Sequence, residues 1–372
     1  MTGPLSGFRV IELAGIGPVP FAGAMLADMG ADVVRVERPI IQNVTASLKG
    51  NPFDFYNRNK RSVALDLKQS HDLKILVKMV ERADVLIEGF RPGVTERLGI
   101  GPKECLDANQ KLIYGRMTGW GQSGPLSLEA GHDINYLAIT GALHAIGEYG
   151  GKPVPPLNLV ADLGGGAMYL VMGILAASMN ARKSGKGQIV DAAMIDGVTN
   201  LMSAFQSLRQ EGFWEDKRCQ NIVDGGAPYY GCYETQDQKY IAVGAMEPKF
   251  YASLLEILGL KNKILTEQND RHGWSELRNR FGEIFLTKKR DDWIKLAAGR
   301  DACISPVLSM DEATEHPHMK VRNVYLTFDS LRHPSPAPRF SQTPSSVRRS
   351  APAPGEHNLE VFNDWELNKP RI

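Results

Sequence analysis

The 372-residue sequence predicts an α/β protein, a doubly wound parallel sheet completed by a smaller α+β part. Two observations predict the sheet. The chain opens strand–helix–strand, and further short apolar runs then alternate with helical stretches up to about residue 210. A third observation predicts the smaller part, since beyond residue 227 the alternation gives way to a β-hairpin pattern followed by helices.

Residues 8–13 (FRVIEL) read as a buried first strand and residues 14–20 (AGIGPVP) as a turn. Residues 21–29 read as a helix stopped by Gly30, and residues 31–36 (ADVVRV) as the second strand. Gly15 and Gly17 invite a dinucleotide-binding reading, but Pro20 stands where the third glycine belongs. Strands at 62–67 (SVALDL), 84–87 and 111–117 follow, with a helix at 72–83. In such a sheet ligands gather at the carboxyl ends of the strands. Arg38, Arg91 and the Gly119 loop fall there, and a guanidinium grips phosphate with two parallel hydrogen bonds. Those arginines read equally well as solvated surface, and Arg58, Lys60 and Arg61 add to the positive cluster ahead of the third strand.

Gly131-His132-Asp133-Ile134-Asn135-Tyr136 places an imidazole beside a carboxylate after a glycine, ahead of an apolar pattern of helical period (Tyr136, Leu137, Ile139, Leu143, Ile146). At a helix start the backbone N–H groups lack partners and the helix dipole is positive, so a developing oxyanion would be stabilised there. A capped helix accounts for the same residues without any chemistry. Residues 147–156 read as a Gly/Pro-rich loop. Residues 157–182 read as a long apolar helix with Asp162 near its start, beside Gly164, Gly165 and Gly166. Those glycines fit either close helix packing or room for a substrate. A strand at 188–194 and a helix at 195–210 follow.

The expected domain layout is a large domain over 1–211, completed by a returning segment and tail at 330–372. A linker at 212–226 leads to a small domain over 227–329, with a hairpin at 229–235 and 240–244. Helices are expected at 249–259, 275–288 and 291–299, and the Pro/Ser-rich tail beyond 341 is expected to be irregular.

Composition narrows the function classes. The net charge of +1 argues against nucleic acid or an anionic membrane as partner. Cys105, Cys219, Cys232 and Cys303 form no CxxC pair, which argues against a zinc site or a disulfide framework and for a reducing, cytoplasmic setting. The start lacks a signal-peptide layout, no apolar run of membrane-spanning length stands out, and Lys369-Pro370-Arg371-Ile372 is not the usual peroxisomal address. His132, Asp162 and Glu247 are three titratable groups in contexts that suit chemistry. Two bases on opposite faces of a carbon acid are the minimum for inverting it. No GxSxG elbow and no metal-ligand spacing is present, and the residues by themselves leave proton transfer and acyl transfer both open.

Residues 130–136 (AGHDINY), 156–169 (PLNLVADLGGGAMY), 184–197 (SGKGQIVDAAMIDG), 224–235 (DGGAPYYGCYET) and 242–251 (AVGAMEPKFY) resemble the α-methylacyl-CoA racemases of the family III CoA-transferase superfamily. The resemblance runs from about Pro4 to Val307 and again over 337–340. It implies an interlocked homodimer with a Rossmann-like large domain. It also implies a 2-methyl-branched acyl-CoA thioester as substrate, epimerised with no cofactor beyond the CoA of that substrate. By motif, His132 and Asp162 are the two bases, Glu247 orients the His, and the Asp133 N–H binds the enolate oxygen. Arg38, Ala64, Leu65, Asp66, Leu67, Arg91, Gly131, Ile134, Asn135 and Tyr136 resemble the CoA-binding parts, the exposed backbone of 64–67 reading the adenine. The alternative within the superfamily is a CoA transferase with Asp162 as a covalent carboxylate. Transferase members lack the histidine that His132 represents here.

Overall fold

The computed structural model, which describes residues 3–39, 50–261 and 267–367, contains six strands in one parallel sheet, the first five largely buried and the sixth mostly exposed. In chain order they are β1 (Arg9–Leu13), β2 (Asp32–Glu37), β3 (Arg61–Ala64), β4 (Val85–Glu88), β5 (Ile113–Thr118) and β6 (Gln188–Ala193). Their spatial order is β3-β2-β1-β4-β5-β6, so the winding reverses between β1 and β4. That reversal leaves a crevice at the carboxyl ends of β1 and β4, where open α/β sheets receive ligands. Helices α1 (Pro18–Asp28), α2 (Ser70–Val80), α3 (Val94–Arg97) and α4 (Pro102–Ala108) connect these strands, and α5 (Asp133–Ile139) follows β5.

The chain divides into two compact units, one of 1–140, 157–201 and 323–372, the other of 141–156 and 202–322. The first division follows α5, whose apolar pattern was expected to continue to Ile146. The helix ends instead at Ile139 with Thr140 as its C-cap, because Gly141 adopts the left-handed conformation (φ 83°), and α6 (Ala142–Ala145) starts beyond it. Likewise the helix expected over 195–210 is two helices, α8 (Met194–Leu201) and α9 (Ser203–Gln210). The segment 212–226, expected as a linker, falls inside the second unit. It lacks apolar periodicity because polar side chains hold it. The Asp224 carboxylate accepts the Asn221 N–H at 2.8 Å, and the Asn221 amide donates to Glu215 O at 3.0 Å.

The long apolar helix starts as a π-helix, Leu159–Ala167, and continues as α7 (Met168–Ser184). By length and composition this 26-residue span could cross a bilayer, at a mean hydropathy of 1.7. The absence of a membrane-length run, expected from the sequence, does not hold for it. Leu170 and Ile174 lie against Gly115 of β5, and 44% of the apolar window is buried. Its glycines serve packing: a Cβ on Gly165 would lie 2.8 Å from the Val198 N of α8.

The second unit is built on β7 (Tyr230–Glu234) and β8 (Tyr240–Gly244), the expected antiparallel hairpin, extended by β9 (Ile304–Pro306). Helices α10 (Pro248–Ile257), α11 (Trp274–Phe285) and α12 (Arg290–Ala297) enclose an aromatic core in which Tyr233 stacks on Phe285, itself edge-on to Trp293. Two short helices, α13 (Met310–Glu315) and α14 (Pro317–Val321), end this unit.

The chain returns to the first unit through a hairpin, β10 (Tyr325–Phe328) and β11 (Leu331–Pro334). The tail is irregular as expected until α15 (Asn358–Asp364), which sequence composition concealed. Val361 and the adjoining Trp365 are fully buried against the sheet, and the indole N–H donates to Asp32 Oδ2 at 2.8 Å. A proline-rich approach masks a helix whose existence depends on those two side chains reaching the core. The C-terminal residues 369–372, from which the absence of a peroxisomal address was read, lie outside the described residues.

The basic cluster at 58–61 is buried and paired within the chain. Arg58 pairs with Asp28 and Arg61 with Asp32, each at 2.6 Å. Lys60 is wholly buried with its Nζ 2.7 Å from the equally buried Glu12, and also donates to Pro20 O and Asn57 Oδ1. Burial pulls the Lys60 ammonium below its ordinary range, and Glu12 opposes that pull. Buried arginine and lysine need such partners, and the carboxylates come from distant strands and helices.

Candidate active site

His132 is the N-cap of α5, with extended backbone (φ −129°, ψ 174°). Its N–H donates to Asn135 Oδ1 at 3.0 Å, and Asn135 N–H donates back to His132 O at 2.8 Å. The backbone is thus held while the imidazole stays exposed. Asp133 N–H begins the helix and has no acceptor within it.

The peptide before α5 is clamped by rings. The Tyr136 hydroxyl donates to Gly131 O, and Trp120 meets the Tyr136 ring edge-on at 4.7 Å. Gly119 is required here, since a Cβ on it would lie 2.0 Å from the Tyr136 ring. A Cβ on Gly131 would lie 2.7 Å from the same ring. The glycine ahead of His132 therefore lets the chain pass beneath a tyrosine.

The Asp133 carboxylate is buried, at 7% exposure, and its Oδ2 accepts two N–H groups, from Ala161 at 2.9 Å and Asp162 at 2.8 Å. These belong to the first turn of the π-helix, where donors lack partners and negative charge is favoured. One side chain thus joins the residue after His132 to the backbone of Asp162. Asp162 is half-buried, and Asn158 donates to its Oδ2 at 3.2 Å. Burial pushes the Asp162 carboxyl above its ordinary value. Asn158 opposes this, Asp133 adds to it by like-charge repulsion, and His132 opposes it. The mutual influence brings His132, Asp133 and Asp162 into one site. That arrangement offers a base, an acid held protonated further up the pH scale, and a backbone donor at a helix start.

Residues 5–358 match CoA-transferase family III. The chain belongs to this family. It is 45% identical to an alpha-methylacyl-CoA racemase of Mus musculus over 99% of this chain and 95% of the relative. The corresponding enzyme of Homo sapiens is 41% identical over the same shares. A crystal structure of a CAIB/BAIF family protein from Brucella suis has the same fold, with a TM-score of 0.81 at 24% identity, covering 98% of this chain and all of that one.

The other expected site residues of this family III member fall into four groups. Arg38 and Arg91 are exposed past the carboxyl ends of β2 and β4, and Arg91 is close enough to Tyr136 to influence its phenol. Ile134 and Asn135 are exposed on the first turn of α5. The segment 64–67 differs from the expected open strand. β3 ends at Ala64, whose N–H donates to Asn358 Oδ1 at 2.9 Å. Leu65 N–H donates to Glu37 O, Asp66 N–H to Asp72 Oδ2, and Leu67 packs into the core. An adenine meeting this edge would find those three donors occupied. Glu247 is the exposed N-cap of α10 in the second unit. Met194 is buried in the core, while Met168 and Met172 are exposed.

Sequence reasoning missed three neighbours of Asp162. Asn158 was signalled only by its spacing four residues ahead. Gly17, the N-cap of α1, approaches so closely that a Cβ there would lie 3.2 Å from Asp162 Oδ2. Tyr56 feels the Asp162 charge, and no motif marked it.

Proposed function

We propose that this enzyme epimerises the α-carbon of 2-methyl-branched acyl-CoA thioesters, interconverting the 2R and 2S forms through an enolate. The observation that carries the proposal is the bridge made by Asp133, which couples a histidine at a helix start to Asp162, in a chain 45% identical to a racemase over nearly its whole length.

The chemistry follows from the thioester. Sulfur donates poorly to the carbonyl, so the α-hydrogen is acidic for a carbon acid. On one face the neutral His132 imidazole takes that proton, and the C–H electron pair moves onto the carbonyl oxygen. The Asp133 N–H receives the oxyanion, a contribution of about 3–4 kcal/mol for one preorganised donor. On the other face protonated Asp162 delivers its proton to the α-carbon, so the configuration inverts. The reverse direction starts from imidazolium and carboxylate. Buried and beside Asp133, Asp162 holds its proton further up the pH scale than an exposed carboxyl would, in keeping with this role.

Glu247 is proposed to orient His132 from the small domain of a partner copy, in an interlocked homodimer with a large Rossmann-like and a small α+β domain. The exposed apolar side chains of α7 and β6, among them Met172, Met179 and Ile189, suit such an interface. Arg38 and Arg91 are proposed to meet CoA phosphates, with no cofactor beyond the substrate's own CoA.

The test is solvent deuterium exchange at the α-carbon of 2-methylacyl-CoAs, followed by chiral analysis. Exchange with epimerisation is expected; neither, across a panel of branched chains, sinks the proposal. The family membership itself favours a second reading, a CoA transferase in which Asp162 attacks the thioester carbonyl. Hydroxylamine trapping of an acyl group on Asp162, without α-exchange, would select it.

A further inference from the structure

Building on the racemase reading, we propose that Ile16 and Tyr56 select the α-substituent of the thioester. A carbon that exchanges a proton with Asp162 must come within about 3 Å of its carboxylate. The volume beside Oδ2 is kept open by Gly17, which lacks a side chain and whose φ of 66° favours glycine. Substituents on the reacting carbon therefore fall on whatever flanks Gly17.

Ile16 is one flank. It is 81% exposed on the loop leaving β1, at the crevice where the sheet winding reverses, so intramolecular packing does not account for a large aliphatic side chain there. Tyr56 is the other flank. Its ring meets Phe21 edge-on at 5.2 Å, and Phe21 lies one turn into α1, its N–H on Gly17 O. Tyr56 is close enough to Asp162 for the carboxylate to hold the phenol up, on top of the effect of burial. The segment bearing Tyr56 is anchored by the buried Lys60–Glu12 pair and by Asn57, which accepts from Lys60 and Arg35. Ile16 adjoins Gly17 in the chain and Tyr56 packs on Phe21, whose N–H is held by Gly17, so an aliphatic and an anchored aromatic residue neighbour the glycine that faces the carboxylate. That corner suits a small apolar branch on the α-carbon and resists a bulkier one.

The test compares 2-methyloctanoyl-CoA with 2-ethyloctanoyl-CoA by solvent deuterium exchange, in the full-length wild type and in Ile16→Ala, Ile16→Val and Tyr56→Ala. One methylene in an apolar pocket changes kcat/KM about 10–200-fold. The wild type is expected to favour the methyl probe, and Ile16→Ala to reduce that preference at least about 10-fold, with Ile16→Val between them. Ile16 is exposed, so its variants keep the test readable should Tyr56→Ala fail to fold. A methyl-to-ethyl ratio unchanged in both Ile16 variants, with methyl exchange retained, overturns the assignment. Absence of wild-type exchange with either probe instead overturns the racemase reading and this one with it.

Discussion

The Asp133 side chain and main chain have separate tasks. The carboxylate accepts the N–H groups of Ala161 and Asp162, and the N–H, at the first position of α5, is the proposed oxyanion donor. Asp133→Asn keeps an oxygen on those donors, whereas Asp133→Ala removes it. The alanine variant is expected to lose about 10²-fold in kcat, the scale of a small misplacement of reacting groups, with the asparagine variant recovering most of it. Equal losses in both would show that charge, not tethering, matters. Asp162 gives a second prediction. A carboxyl whose folded pKa lies above the ordinary 3.8 binds more protons folded than unfolded, so stability falls as pH rises through that interval. Asp162→Asn is therefore expected to abolish epimerisation, leaving only exchange on the His132 face, yet raise the melting temperature at neutral pH. That gain should disappear once the pH drops below about 3.8. His132 and Asp162 were legible in the sequence because glycines and a helix start flank them. The Asp133 tether was not, since a carboxylate at a helix start reads as a cap for its own helix and here serves another 28 residues away.

Among the elements, the strands and their winding were legible because buried parallel strands are continuous apolar runs. What escaped was held by polar or single large side chains: the Asn221–Asp224 turn, the buried pairs at 58–61, and α15. Truncating Trp365 to alanine is expected to cost about 3–5 kcal/mol in urea unfolding, through a cavity in the core and the lost indole bond to Asp32. Lys60→Met is expected to cost about 3–5 kcal/mol by stranding Glu12, and the double variant with Glu12→Leu to regain much of it. An intact single variant would argue that Glu12 already has sufficient partners. The β11 residue His333 adds a pH signature. It is buried between Phe55 and Phe328, and burial with the nearby Arg58 holds its imidazole below the ordinary 6.5. Stability on its account is lost as pH falls from 6.5 toward the folded value, so His333→Phe should flatten that part of the stability profile.

At the scale of the whole molecule, a switch-point crevice gathers groups from sequence positions as far apart as Gly17 and Asp162. The proposed homodimer belongs to this scale. Sedimentation should give twice the 41.0 kDa chain mass, and Met172→Lys on the exposed face of α7 should shift it toward one copy. Unchanged mass would place the interface elsewhere. The π-helical start of the long helix bears on how readily the site could be gained or lost. A π-turn holds one residue more than an α-turn, so deleting a single residue between 159 and 161 lets the segment relax to ordinary α-helix. Each α-helical residue turns the chain by about 100°, so the deletion would rotate Asp162 away from His132 while the sheet and core stayed assembled. A one-codon loss would leave a folded protein without its proposed second base, and the matching one-codon gain in a relative would be a short path to a new reaction.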